Sequence, residues 1–143
     1  MTLHLLKLAV GIDSFSDLAA RQQARLADLT RAKQKPELIH ITRHMPKRAD
    51  ELLDGGSIYW VIKGFITARQ GLVAFRPITR DGVPHCALVY DVNLVPVALR
   101  PYRAFQGWRY LEEKNAPPDQ AQHGEDAELP EDLKRELSAL GLL

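Results

Sequence analysis

Residues 57–90 read SIYWVIKGFITARQGLVAFRPITRDGVPHCALVY, and this stretch decides the fold. Its opening, Ser57 to Lys63, is apolar on both alternations and rich in β-branched and aromatic side chains. It predicts a central strand covered on both faces. Gly64 permits a bend or bulge, after which the strand pattern continues as FITARQGLVAFRPI. Asp81-Gly82 is the strongest hairpin signal in the chain, because a type I′ turn needs two residues at positive φ. A two-residue turn there sets Arg80 opposite Val83, Ile78 opposite His85, Phe75 opposite Leu88 and Val73 opposite Tyr90. One face of the ribbon then holds Val73, Phe75, Cys86, Leu88 and Tyr90, a core face. Pro77 lies on it too and weakens the ladder, which suggests an edge or bulge.

Upstream, Leu3 to Val10 reads as a strand ended by Gly11. Ser14 stands three residues before Asp17, which predicts a capped helix from Phe15 to about Lys33, closed by Pro36. Its apolar face carries Phe15, Leu18, Ala19, Leu26 and Leu29, while Arg21, Arg25, Asp28 and Arg31 face water. Leu38 to Arg43 reads as a short strand. Pro46 takes the first position of a brief helix striped by Ala49, Leu52 and Leu53, and Gly55-Gly56 stops it. Downstream, Val95 to Arg100 is a strand interrupted by Pro96, and Arg103 to Leu111 is a strand or tight irregular segment. The expected fold class is α+β: a single small domain with a curled, mostly antiparallel sheet or small barrel and two inserted helices.

The chain has 143 residues, one cysteine, 19 Lys+Arg against 18 Asp+Glu, and 45% hydrophobic residues. That composition excludes wholesale disorder, collagen-like repeats and coiled coil. No apolar run approaches the ~20 residues that span a bilayer, and the N-terminus lacks a signal-peptide cleavage site, so no membrane partner is expected. A lone Cys86 fits a reducing, cytoplasmic compartment. The balanced total hides a segregation of charge. Residues 112–143 hold nine acids and three bases, a net of −6, and the other sixteen bases and nine acids leave residues 1–111 at +7. The expected division is a body over 1–111, an acidic mobile linker over 112–128 and a short amphipathic helix over 129–143. Leu133, Leu137 and Leu140 line one side of that helix.

Chemistry-bearing motifs are sparse. Five histidines (His4, His40, His44, His85, His123) show no zinc spacing, so no metal or other cofactor is expected. His85 and Cys86 are strand neighbours that point to opposite faces and cannot pair. No nucleophile elbow, phosphate loop or dinucleotide fingerprint is present, which leans against an enzyme. What remains is an interleaving of cations with flat rings. Lys47, Arg48, Arg69, Arg76, Arg100, Arg103 and Arg109 could neutralise phosphates, and Trp108 and Tyr110, after the exposed-looking Gln106-Gly107, could stack bases. Tyr59 and Trp60 flank the buried strand and are expected in the core.

The segments LDGGSIYWVIKG (Leu53 to Gly64), FQGWRYL (Phe105 to Leu111) and LHLLKLAVG (Leu3 to Gly11) resemble a family of uncharacterised bacterial proteins, chiefly alphaproteobacterial, described as a domain of unknown function. More distantly, the order of short helix, Gly-Gly stop, central strand and long hairpin is similar to pseudouridine-synthase-and-archaeosine-transglycosylase (PUA)-like and ASC-1-homology domains. That likeness implies a PUA-like barrel, and many such domains bind RNA or modified nucleotides. Ser57-Ile58-Tyr59-Trp60-Val61 departs from the Lys-x-Thr-x-Glu type of stretch in some of those relatives, so no hydrolase activity is implied.

The function expected from the sequence is a module for RNA or single-stranded nucleic acid, with the acidic tail competing for the basic surface. It requires the body's cations to gather into one contiguous swath. Two other classes stand beside it. One is a protein-interaction module docking through Leu133, Leu137 and Leu140. The other is a small-ligand pocket using His40, His44, Tyr59 or Arg69.

Overall fold

The computed structural model describes residues 2–120. The expected C-terminal helix with Leu133, Leu137 and Leu140, and the linker beyond Gln120, lie outside the described residues. The elements in chain order are β1 (Leu3–Leu8), α1 (Phe15–Arg31), β2 (Leu38–Thr42), α2 (Ala49–Leu53), β3 (Ser57–Ile62), β4 (Phe65–Arg80), β5 (Val83–Tyr90), β6 (Val95–Pro101), β7 (Trp108–Glu112) and a 3-10 turn (Glu113–Asn115). The class is α+β.

The strands form one mixed sheet in the order β2-β5-β4-β3-β1-β7, with β6 also paired to β4. β1 and β3 run parallel and every other pairing is antiparallel. Parallel neighbours need a long crossover, and α1, β2 and α2 supply it. The sheet stays open, so of the two architectures expected the curled sheet is present and the closed barrel is not.

β3 is buried along its whole length, as its doubly apolar pattern requires. The chain reverses immediately after it. Lys63 (φ 47°) and Gly64 (φ 85°) form a two-residue turn that sets Ile62 opposite Phe65. Gly64 is therefore a hairpin residue instead of the bend expected within one continuous strand. The second hairpin follows the sequence: Asp81 (φ 52°) and Gly82 (φ 77°) make the turn, and the pairing of Arg80 with Val83, Ile78 with His85 and Phe75 with Leu88 is present. It then departs. A bulge between Leu72 and Ala74 leaves Tyr90 opposite Leu72 and turns Val73 outward, 58% exposed. One inserted residue flips the side of everything beyond it.

Three other expectations shift. Pro46 is not the first helical residue, because Arg48 is the N-cap of α2. β7 starts at Trp108 instead of Arg103; Phe105 is buried in the irregular segment before it. α1 is capped as expected, with the Asp17 N–H donating to Ser14 Oγ at 3.0 Å. Its most buried residues are Leu18 and the polar Gln22, however, and Leu29 is only half-buried.

Packing defines two faces. On the first, α1 and α2 cover Leu5, Ile58, Trp60 and Ile62 together with Leu38, Cys86, Leu88 and Tyr90 from the β2–β5 end. On the second, Leu6, Tyr59, Val61, Ile66, Val97 and Leu111 are covered by Tyr102, Phe105 and Ala116. Each fully buried large apolar side chain in these clusters contributes roughly 1.5–3 kcal/mol. Residues 118–120 finish the outer edge of β6: Ala98 N–H donates to the Pro118 carbonyl at 2.8 Å and Gln120 N–H to the Pro96 carbonyl at 2.9 Å. The start of the acidic segment thus lies on the body.

Candidate nucleic-acid interface

Strand parity assigns each candidate side chain to a face. β7 pairs with β1 so that Trp108 lies opposite Lys7 and Tyr110 opposite Leu5. Directly opposed residues share a face, so Trp108, Tyr110 and Lys7 sit with the first-face core. The two rings meet edge to face with centroids 5.1 Å apart. Both are half-buried.

The loop between β2 and α2 reaches this pair. The Arg48 backbone N–H donates to the Tyr110 hydroxyl at 3.2 Å, and the Arg48 guanidinium stands 5.4 Å over the Tyr110 ring. That brings Arg48 to Tyr110, with the exposed Lys47 next to it, whereas Arg43 donates to the Pro84 carbonyl at the start of β5. Arg48 itself is held by Glu51 through a two-pronged ion pair at 2.5 and 2.9 Å. On the inner side lie Lys7 of β1 and His40 of β2, both half-buried. Burial pushes the Lys7 ammonium below its usual value. It does the same to the His40 imidazole, with the Lys7 charge adding to the effect. Neither side chain hydrogen-bonds or ion-pairs with any described residue.

The other candidates stand elsewhere. Arg69 and Asp119 form a two-pronged pair at 2.6 and 2.7 Å, and Arg69 also donates to Ser57 Oγ at 3.0 Å. Arg76 is paired with Glu37 at 2.6 and 3.0 Å. Arg100 donates to the Asn115 carbonyl. Arg109, one residue out of phase with Trp108, points to the second face, 4.8 Å over Phe105. Arg103 is exposed in the irregular segment before β7. The structure therefore splits the expected swath. Arg48, Trp108 and Tyr110 come together with the exposed Lys47 next to Arg48, whereas Arg69, Arg100 and Arg109 belong to the other side. Carboxylates already occupy Arg48, Arg69 and Arg76.

The densest group of ionisable side chains is on the second face, and it is closed on itself. His4, 4% exposed, receives the Ser57 N–H on Nδ1 at 2.9 Å, which leaves Nε2 to donate to Glu113. Both ring nitrogens are thereby engaged within the protein. Ser57 Oγ faces Arg69 instead of a base, so no nucleophile–base pair exists there. Tyr59 and Arg69 belong to this group, while His40 and His44 are on the other side. Of the four residues of the small-ligand alternative, Tyr59 and Arg69 lie on the second face and His40 on the first.

Among the described residues no three His, Cys, Asp or Glu side chains converge as metal ligands, and no helix is long and apolar enough to cross a membrane. Cys86 is buried and its thiol is pushed up by that burial.

The missed residues were legible in part. His40 was visible as an odd polar residue in an apolar strand, but Lys7 gave no signal: a lysine near a strand end reads as solvated surface until β7 is known to lie beside β1.

Fold and site together define a small α+β protein on an open, mixed seven-stranded sheet, with Arg48 of the loop before α2 set against Tyr110 of β7. The chain belongs to the DUF1489 family, described as proteins of unknown function, which it matches over residues 5–143. No curated protein and no solved structure matches it.

Proposed function

We propose that this protein binds single-stranded nucleic acid, RNA foremost, across the surface that carries Trp108, Tyr110 and Lys7 together with Lys47 and Arg48 of the loop before α2. The observation that carries the reading is the double hold of Arg48 on Tyr110. It holds Arg48 against one of two half-exposed rings, with Lys47 exposed next to it in the chain. Flat rings accept any base for ~1–3 kcal/mol each, and adjacent cations neutralise the backbone. The Trp108 indole N–H donates to no described residue.

Arg69, Arg76 and Arg100 have no part in this reading, because each is engaged within the protein; Arg48 is likewise held by Glu51 and serves by fixing its loop against Tyr110, which leaves Lys47 as the exposed cation there. The acidic segment acts as a tethered competitor for the basic surface. A fluorescently labelled oligouridylate titrated with the full chain tests the proposal. Affinity is expected to fall with salt by a slope of roughly −0.7 per phosphate neutralised. Trp108→Ala is expected to weaken binding at least tenfold (roughly one stacking contact), and Lys47→Ala to reduce the salt slope by about one contact. Arg76→Ala is expected to change neither. Absence of salt-sensitive binding, or equal loss in all three variants, refutes it.

A further inference from the structure

We infer that residues 129–143 of the same chain cover the second face of the β2–β5–β4 half of the sheet, seating Leu133, Leu137 and Leu140 on it. The inference is separate from the nucleic-acid reading, in which the acids ahead of Leu129 do the competing.

Strand register defines this face. Cys86, Leu88 and Tyr90 of β5 belong to the first-face core, so Ala87 and Val89 point the other way. Ile39 and Ile41 of β2 lie opposite Val89 and Ala87, Ala74 of β4 lies opposite Val89 on its other side, and Ile78 follows opposite His85. Directly opposed residues share a face, so three strands contribute to one apolar strip. The helices pack on the first face, and Tyr102, Phe105 and Ala116 cover the part of the second built from β1, β3, β6, β7 and the start of β4. Ala87 and Val89 stand outside both cores although each is 3% exposed, and Ile39 at the rim is 38% exposed.

The course of the chain points its own C-terminal segment at this strip. β5 and β6 line the edge of β4 opposite β3. Residues 118–120 run antiparallel along the outer edge of β6, from Ala98 to Pro96. The chain thus leaves Gln120 heading for the β5–β6 turn, beyond which β2 lies on the outer edge of β5 with Leu38 opposite Tyr90. Thirteen residues separate Gln120 from Leu133, a reach of up to roughly 40 Å. The eight-residue β5 is only about 27 Å long, so every point of the strip is accessible to the leucines. The family match runs on through this segment to residue 143, so the segment belongs to the unit the family shares.

Chemistry agrees with the path. The last fifteen residues hold six leucines, and Leu133, Leu137 and Leu140 recur at intervals of four and three, so that a helix there presents them together. Glu131, Asp132 and Glu136 lie between and beside them. On the strip's side of the sheet stand Arg76, opposite Ala87, and Arg80, opposite Val83, against one carboxylate, Glu37, which Arg76 holds. Arg80 is exposed and pairs with no described residue. Apolar side chains flanked by acids therefore meet an apolar strip flanked by arginines.

The test uses the full chain with Ile39→Cys and Leu137→Cys together, read by non-reducing electrophoresis. Native Cys86 stays in place, because it is wholly buried on the other face. Mild oxidation is expected to give a disulfide-closed monomer at least about tenfold faster than in a control carrying Val10→Cys and Leu137→Cys, since docking raises the local concentration of one thiol about the other. Val10 is exposed just after β1, three strands from β5. Equal rates overturn the inference. Disulfide-linked dimers in place of the closed monomer also overturn it, because the strip then takes a second copy. Trypsin cleavage after Lys134 and Arg135 supplies a second readout. Ile39→Ser and, separately, Leu133→Ser with Leu137→Ser are each expected to speed it roughly tenfold, with thermal unfolding showing that each chain remains folded. Cleavage that quickens in the leucine variant but not in a folded Ile39→Ser chain overturns this seat, since the leucines then rest on another surface.

Discussion

Gln22 of α1 and Gln70 of β4 hydrogen-bond each other reciprocally, Nε2 to Oε1 in both directions, at 2.9 and 2.8 Å. Gln70 is wholly buried, accepts from the Trp60 indole N–H at 2.8 Å and donates to the Asp91 carbonyl at 2.9 Å. One side chain thus ties the helix, two strands and the turn after β5. Replacing it leaves several buried polar groups unmatched, each costing about 1–3 kcal/mol. Gln70→Leu is expected to lower stability by roughly 3 kcal/mol in urea denaturation. Gln22→Leu is expected to cost less, and the double variant less than the sum, because the amides are removed together.

The two glycines before β3 fail for different reasons. A Cβ on Gly56 would lie 2.3 Å from the carbonyl oxygens of both Leu3 and Leu52, backbone atoms with no freedom to retreat. Gly55 has open space but a φ of +83°. Gly55→Ala should therefore cost only the left-handed penalty of roughly 1–2 kcal/mol. Gly56→Ala should cost more, since β1 and α2 must separate. Thermal melts showing the opposite ranking would refute this account.

Alkaline titration should reveal two slow-yielding phenols. Burial pushes Tyr59 and Tyr90 up to about 12. The folded chain therefore retains protons that the unfolded chain releases near 10. Stability is complete below that value and falls as pH rises through it toward 12. Tyrosinate absorbance should rise in two stages, the later one accompanying unfolding. Tyr59→Phe should make stability less sensitive to alkali.

Acid acts through the salt-bridged carboxylates. The guanidinium of Arg69 holds Asp119 below the ordinary range, and that of Arg76 does the same to Glu37. Their contribution is present above the unfolded value of about 4 and is lost as pH falls below it. Both pairs are largely exposed, so the effect is small and screened. Asp119→Asn should lower stability slightly at neutral pH and flatten its dependence on pH below about 4.

Much of the fold was legible because local chemistry and global topology agree. Doubly apolar Ser57–Ile62 is the buried strand, Ser14 caps α1, and Asp81-Gly82 fixes the hairpin register as far as Phe75. Where legibility ended, the cause was an interaction distant in sequence. Val73 turns outward because of a bulge whose partner lies on another strand. Lys63-Gly64 reads as a bend because lysine at positive φ has no signature of its own. Gln22 reads as helix surface until Gln70 is seen to meet it. The candidate site suffered most, since arginines scattered along a chain look alike. Only strand parity separates Arg109 from Trp108, and only the carboxylates of Glu37 and Asp119 reveal that Arg76 and Arg69 are already engaged.

The sixteen residues of β4 pair with β3 and β6 in their first half and with β5 in their second. A strand held in common denies either half of the sheet an independent melting event. Amide protons on β1 and on β5, at opposite reaches of the molecule, should accordingly exchange with solvent through one shared opening, and a lesion anywhere along β4 should loosen both.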